Sequence, residues 1–96
     1  MTELGRADEL APENPRYAYV HALALNGTGD AAGALRVLAD AHRRHPADVD
    51  LLVTLITINR DTGNRADALD YARTLSRLRP EDPEVAALLR ELSPAP

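Results

Sequence analysis

Ninety-six residues, 45% hydrophobic but only 3% aromatic, read as one domain whose core is filled by Ala, Leu and Val. There is no cysteine, which excludes disulfides, thiolate metal sites and thiol nucleophiles. The net charge of −4 is uneven: −3 in residues 1–14, +1 in 15–48, −1 in 49–82 and −1 in 83–96, so no global basic field attracts phosphate.

No apolar run approaches the ~18 residues of a membrane span. The polar, acidic start Met1-Thr2-Glu3 is unlike a signal or transit peptide. A cytoplasmic chain with no membrane contact is therefore expected. All 11 basic residues are arginine. With abundant Ala, this points to a GC-rich, bacterial coding genome.

Residues 3–10 are predicted as a short helix with Leu4, Ala7 and Leu10 on one face, ended by Pro12 and Pro15. Asn14 before Pro15 is a good helix start: Asn accepts a bond from an orphan amide, and Pro at the first helical position loses nothing. The helix over 15–27 is apolar at Tyr17, Ala18, His21, Ala22 and Leu25, and is expected to stop at Asn26-Gly27, where Gly can turn left-handed. Asp30 is placed as the cap of a helix over 31–45 that buries Ala34, Leu35, Leu38 and Ala41. Gly33 in its first turn is expected to cost up to about 1 kcal/mol against Ala. Arg43, Arg44 and His45 meet the negative end of its dipole, and Pro46 ends it.

The cycle then restarts. Asp48 caps a helix over 49–61 with Leu52, Leu55, Ile56 and Asn59 inward. Gly63 turns the chain, with Gly29 and Gly63 both expected at positive φ, and Asn64 caps a helix over 65–79 with Ala68, Leu69, Ala72 and Leu75 inward. Asp82-Pro83 starts a last helix carrying Val85, Leu88, Leu89 and Leu92, ended by Pro94 and Pro96. Segments 51–58 and 69–78 are rich in residues that strands favour, but apolar spacing of three and four argues helix.

The restart has a fixed period of thirty-four. Thr28-Gly29-Asp30 with Ala34-Leu35 returns at that offset as Thr62-Gly63-Asn64 with Ala68-Leu69. The same offset carries Pro12 to Pro46 to Pro80, and Asn14 to Asp48 to Asp82. Such a period marks a stacked-repeat architecture.

These residues resemble the tetratricopeptide repeat family, which pairs two antiparallel helices in each repeat of this period and closes the repeat with Pro. The small residue early in the second helix matches at Ala34 and Ala68, the turn at Gly29-Asp30 and Gly63-Asn64, and the closing Pro at Pro12, Pro46 and Pro80. The first helices depart. Ala18 and Leu52 stand where the family likes Trp or Leu, and His21-Ala22 and Leu55-Ile56 where it wants Leu and a small residue. Leu25 and Asn59 stand where it likes Tyr. Leu38 and Ala72 replace its second-helix aromatic, with Ala41 and Leu75 at its following Ala.

The resemblance implies an all-α superhelix of six helices. Residues 1–14 would be the second helix of a half-repeat, 15–48 and 49–82 full repeats, and 83–96 a capping helix with a Pro-rich tail. Six helices make three pairs, each a second helix followed by the next first helix, and stability comes from nearest-neighbour stacking.

Other chemistry finds little footing. His42 and His45 share a face, but His21 is in another helix, short of the three or four ligands a metal needs. The run His42-Arg43-Arg44-His45 lacks an aromatic platform and is flanked by Asp40 and Asp48, which argues against nucleic acid. Gly27-Thr28-Gly29-Asp30 lacks the Lys and the glycine spacing of a phosphate loop. Ser76 and Ser93 have no partner base in view, and Asp67 and Asp70 share a helix face but Arg73, three residues past Asp70, is expected to neutralise Asp70, so neither catalysis nor a cofactor is expected.

The resemblance further implies a protein-interaction role, with first helices lining a concave groove. Carried over, that groove shows Arg16, Tyr19, Leu23 and Asn26, then Asp50, Val53, Thr57 and Arg60, then Glu84, Ala87 and Glu91. Its centre is expected at Tyr19, Leu23, Val53 and Thr57, with Arg16 and Arg60 as polar anchors for a protein or peptide segment. The family's clamp for C-terminal carboxylates is absent: Tyr19, Leu23, Thr54, Glu84 and Leu88 stand in its places. The alternatives are a structural or self-associating segment of a longer array, or an accessory domain of a larger enzyme. The chain is expected as a monomer, or as a weak homodimer through its N-terminal half-repeat.

Overall fold

The computed structural model describes residues 14–93. They form five helices: α1 (Pro15–Gly27), α2 (Ala31–Arg44), α3 (Val49–Asp61), α4 (Arg65–Leu78) and α5 (Pro83–Leu92). No strand occurs among the described residues. The count of described helices is thus five, not six, because the helix expected at 3–10 lies outside the described residues, as do Pro94 and Pro96. The chain divides between Leu51 and Leu52 into two compact units.

In the first unit α1 packs on α2. Asn14 caps α1, its side-chain oxygen accepting from the Arg16 amide at 3.0 Å, with Pro15 in the first turn. Asp30 caps α2, accepting from the Gly33 amide at 2.9 Å. α2 buries Gly33, Ala34, Leu38 and Ala41, a repeat of three and four that puts one stripe inward. Fully burying a Leu such as Leu38 contributes about 1.5–3 kcal/mol. Asp48 caps α3 through the Leu51 amide at 3.1 Å.

In the second unit α4 packs on α5. α4 buries Ala68, Leu69, Ala72 and Leu75, and α5 buries Val85 and Leu92. Asp82 caps α5 through the Glu84 amide at 2.9 Å. The two second helices distribute volume differently at matching stations. Leu38 then Ala41 stand in α2 where Ala72 then Leu75 stand in α4, and all four are buried.

Two identical turns end α1 and α3. Asp30 donates its amide to the Leu25 carbonyl at 2.9 Å and Gly29 donates to Asn26 at 3.1 Å. Asn64 donates to Asn59 at 2.7 Å and Gly63 to Arg60 at 3.2 Å. This six-to-one plus five-to-two pairing needs a left-handed residue at the fifth place. Gly29 and Gly63 supply it, with φ of 92° and 87°. Thr28 and Thr62 add hydroxyl bonds to the Leu25 and Ile58 carbonyls, at 2.9 and 2.8 Å.

Four expectations need correction. Leu35, expected on the buried face of α2, is only half-buried. Gly27 does not make the left-handed stop. It is the last helical residue, since the closing bonds place the reversal at Gly29. Asn64 stands at the cap position of α4 but makes no side-chain cap bond; its side-chain nitrogen donates to the Thr62 hydroxyl at 3.3 Å. On α1 only Ala22 is buried, while Tyr17 and His21 are exposed. The face they share is open, although the same stations of α3, Leu51 and Leu55, are buried.

Candidate functional site

Arg16, Tyr19, Leu23 and Asn26 follow at spacings of three, four and three, so they form one stripe along α1. Arg16 and Asn26 are exposed, Leu23 is 44% exposed and Tyr19 is half-buried. At the N-terminal end of this stripe a cavity of about 140 Å³ is lined by Asn14, Pro15, Arg16, Tyr19, Asp48 and Asp50. One carboxylate oxygen of Asp48 is already engaged by the Leu51 amide.

Asp50, Val53, Thr57 and Arg60 repeat that spacing on α3. Val53 is 42% exposed, between the buried Leu52 and Thr54. The half-buried Thr57 donates its hydroxyl to the Val53 carbonyl at 2.9 Å, so that group is satisfied within the helix. Arg60 is half-buried. Its guanidinium lies 3.6 Å from the Asp61 carboxylate and 3.7 Å from Glu91. Arg65 donates to the Glu91 carbonyl, a cation at the C-terminal end of α5 where the helix dipole favours one. Glu91 thus holds two arginines. Arg60 and Glu91 belong to α3 and α5, far apart in the chain, so no local pattern announces their pairing. Both side chains reach solvent, which limits the pair to about 0–1 kcal/mol. On α5, Glu84 and Ala87 are exposed.

The other constellations resolve into surface pairs. Arg43 and Arg44 both turn back to Asp40, at 2.6 and 2.8 Å. Arg73 meets Asp70 at 3.7 Å. His42 is partly buried, and desolvation pushes its pKa below the ordinary 6.5. Among the described residues no three His or carboxylate groups gather closely enough to hold a metal ion. No described helix is long and apolar enough to cross a membrane.

A family model described as tetratricopeptide repeat matches residues 25–92, from the last turn of α1 through α5. The chain belongs to the tetratricopeptide repeat family. The all-α, repeat-built fold class expected from the period follows. Tetratricopeptide repeats generally mediate protein–protein interaction and are typically non-catalytic. No curated protein matches the chain. Most of α1, with Arg16, Tyr19 and Leu23, precedes the matched residues.

Proposed function

We propose that this tetratricopeptide repeat chain is a non-catalytic module, a single domain that binds a segment of another protein. The contact residues are Arg16, Tyr19, Leu23 and Asn26 on α1, and Val53, Thr57 and Arg60 on α3. Each stripe is a candidate on its own. The observation that carries the reading is the exposure of Leu23 and Val53, large aliphatic side chains left open to solvent. Tyr19 and Val53 occupy one station of the repeat, and Leu23 and Thr57 the next, one helical turn on. Aromatic and Arg residues are the usual anchors of binding surfaces, and Tyr19 beside Arg16 supplies both. A peptide ending in a free carboxylate is a poor ligand, since Asp50, Glu84 and Glu91 are acidic and no Lys–Asn clamp is present.

The test is a partner captured from the source cell and mapped by amide shift changes on labelled chain. Tyr19→Ala is expected to cost about 2 kcal/mol of binding, as for a hot spot, with little loss of fold stability. Shifts confined to α2 and α4, with Tyr19→Ala binding like wild type, would show that other helices make the contact.

A further inference from the structure

The cavity of about 140 Å³ at the N-terminal end of the α1 stripe is built from matching stations of two successive repeats. Asn14 and Asp48 stand one period apart, as do Arg16 and Asp50, and Pro15 and Tyr19 complete the lining. All six residues belong to the first unit. Pockets for free small molecules run to about 300–1,000 Å³, so this one has room for a single side chain. The half-buried Tyr19 supplies an aromatic wall. Asp48 and Asp50 set two carboxylates against the one guanidinium of Arg16, so one negative charge remains in excess. The helix starts do not reverse that sign. Asn14 accepts from the Arg16 amide at 3.0 Å and Asp48 from the Leu51 amide at 3.1 Å, so at each start an amide that would draw an anion is already engaged. A carboxylate offers about four lone-pair sites on its two oxygens, so Asp48 can cap α3 and still accept from a ligand.

We propose that this cavity takes one arginine side chain of the partner segment. The proposal rests on the reading that the α1 stripe binds such a segment, and it adds the charge of the residue read at one end. The guanidinium lies on the Tyr19 ring, as cations do on aromatic faces, and donates to Asp48 and Asp50 with the fork that suits carboxylates. Lysine, a point charge without that fork, fits less well. The chain's own residues 1–14, at a net −3, have the wrong sign for this place.

The experiment titrates the full 96-residue chain, isotope-labelled, with two N-acetylated, C-amidated peptides. One carries a single arginine between aliphatic residues. The other carries citrulline, its uncharged isostere, in that place. The arginine peptide is expected to shift the amides of Tyr19, Leu23 and Asp50 and to bind at least about fivefold more tightly, the size of a favourable exposed ion pair. Asp48→Asn combined with Asp50→Asn should erase that preference. Asn caps a helix start as well as Asp, and the amides of α2 report that the fold is kept. Should the double variant unfold, Asp50→Asn alone, at an exposed position, gives the reading. Both peptides shifting the stripe with equal affinity overturns the proposal and leaves the stripe reading intact. Neither peptide shifting it overturns the proposal, and the stripe reading then stands or falls on the captured partner. A preference for arginine that survives the Asn variants overturns it too, since the cation then sits elsewhere. Shifts at Tyr19 and Asp50 that grow with chain concentration alone, with a dimer in sedimentation, overturn it in favour of an arginine from a second copy.

Discussion

Leu51, Thr54, Leu55 and Ile58 of α3 are buried, whereas Tyr17, Val20, His21 and Ala24, their counterparts on α1, are exposed. The two helices share a period, a length of 13 residues and the same closing turn. What differs is the chemistry chosen for one face: three aliphatic residues and a threonine in α3, mixed aromatic, imidazole and aliphatic in α1. Repeat station fixes where a side chain points. Whether that direction is interior depends on what lies against it.

The second helices make a finer contrast. In α2 the Asp30 carboxylate caps the Gly33 amide, and a Cβ on Gly33 would collide with that carboxylate. Glycine there is the room the cap needs, and its helix-propensity cost comes with that use. In α4 the same stations hold Asn64 and Asp67, and no side-chain cap forms.

The sharpest way to break the first contrast is by truncation. Leu55→Ala should destabilise by about 3 kcal/mol, as for buried leucines generally. His21→Ala, at the same station of α1, should stay within about 0.5 kcal/mol. Urea unfolding of both variants decides it, and equal losses would show the stations to be equivalent after all.

Next in size are the turns, where the repeats should agree. Gly63→Val and Gly29→Val should each cost more than about 1 kcal/mol, the order of strain at a left-handed position. Open space surrounds both glycines, so the cost is in the backbone. Gly27→Ala should stabilise instead, by about 0.4–1 kcal/mol, because Gly27 is helical and nothing crowds its Cβ. Thermal melts that ranked Gly27→Ala with the other two would reassign the stop.

The capping contrast predicts a coupling. Asp30→Ala should cost about 1 kcal/mol, and Asn64→Ala only a few tenths, since no cap bond is lost there. Gly33→Ala gains about 1 kcal/mol of helix propensity but displaces the Asp30 cap, so its net effect in the wild type should be near zero. In the Asp30→Ala background it should stabilise by the full amount. A double-mutant cycle by urea unfolding measures this coupling, and additive single effects would show that the cap and Gly33 are independent.

The smallest effect separates the repeats by pH. His42 lies in α2, and its counterpart in α4 is Ser76, which has no proton to gain. Burial lowers the folded-state pKa of His42 beneath 6.5, its ordinary value in the unfolded chain. Above that ordinary value both states are neutral and the burial carries no penalty. As pH falls from there through the lower folded-state value, the unfolded chain takes up the proton first, so this stability is progressively lost. The melting temperature should fall less between pH 7 and 5.5 in His42→Gln than in wild type. Parallel profiles would remove His42 from the titration.

Much of the fold was legible because its determinants are local. The Pro–Asx starts, the glycine turns and the three-and-four apolar spacing of α2 and α4 each act within a turn or two of helix. Asp30 and Asn64 look alike as caps, but Asn carries a donor, and that donor found Thr62. The positive φ of Gly29 and Gly63 was legible, since each stands where one helix must stop and another start within a few residues; only the reading of Gly27 as a left-handed stop needed the closing bonds to correct it. The exposure of Tyr17 and His21 and the pairing of Arg60 with Glu91 depend on distant chain, and no periodicity reports them, whereas the spacing of Leu51, Leu55 and Ile58 by four and three marks a further buried stripe of α3. The stripe residues were legible as positions. Leu23 and Val53 stand exposed there, while Arg60 proves to be shared with Glu91.

The twin turns also bear on how such a gene can grow. Each closes by bonds confined to one short stretch, Leu25 to Asp30 and Asn59 to Asn64. A tandem duplication of any block one period long would therefore copy a complete stop-and-start signal at its seams, whichever codon the break fell on. The new segment would inherit its reversal ready-made and need only a compatible face on either side, and nearest-neighbour stacking would add its stability nearly as a sum. Lengthening by recombination is thus permitted by the chain's own punctuation, while a deletion that is not a whole number of periods would put a helix start where a turn must be.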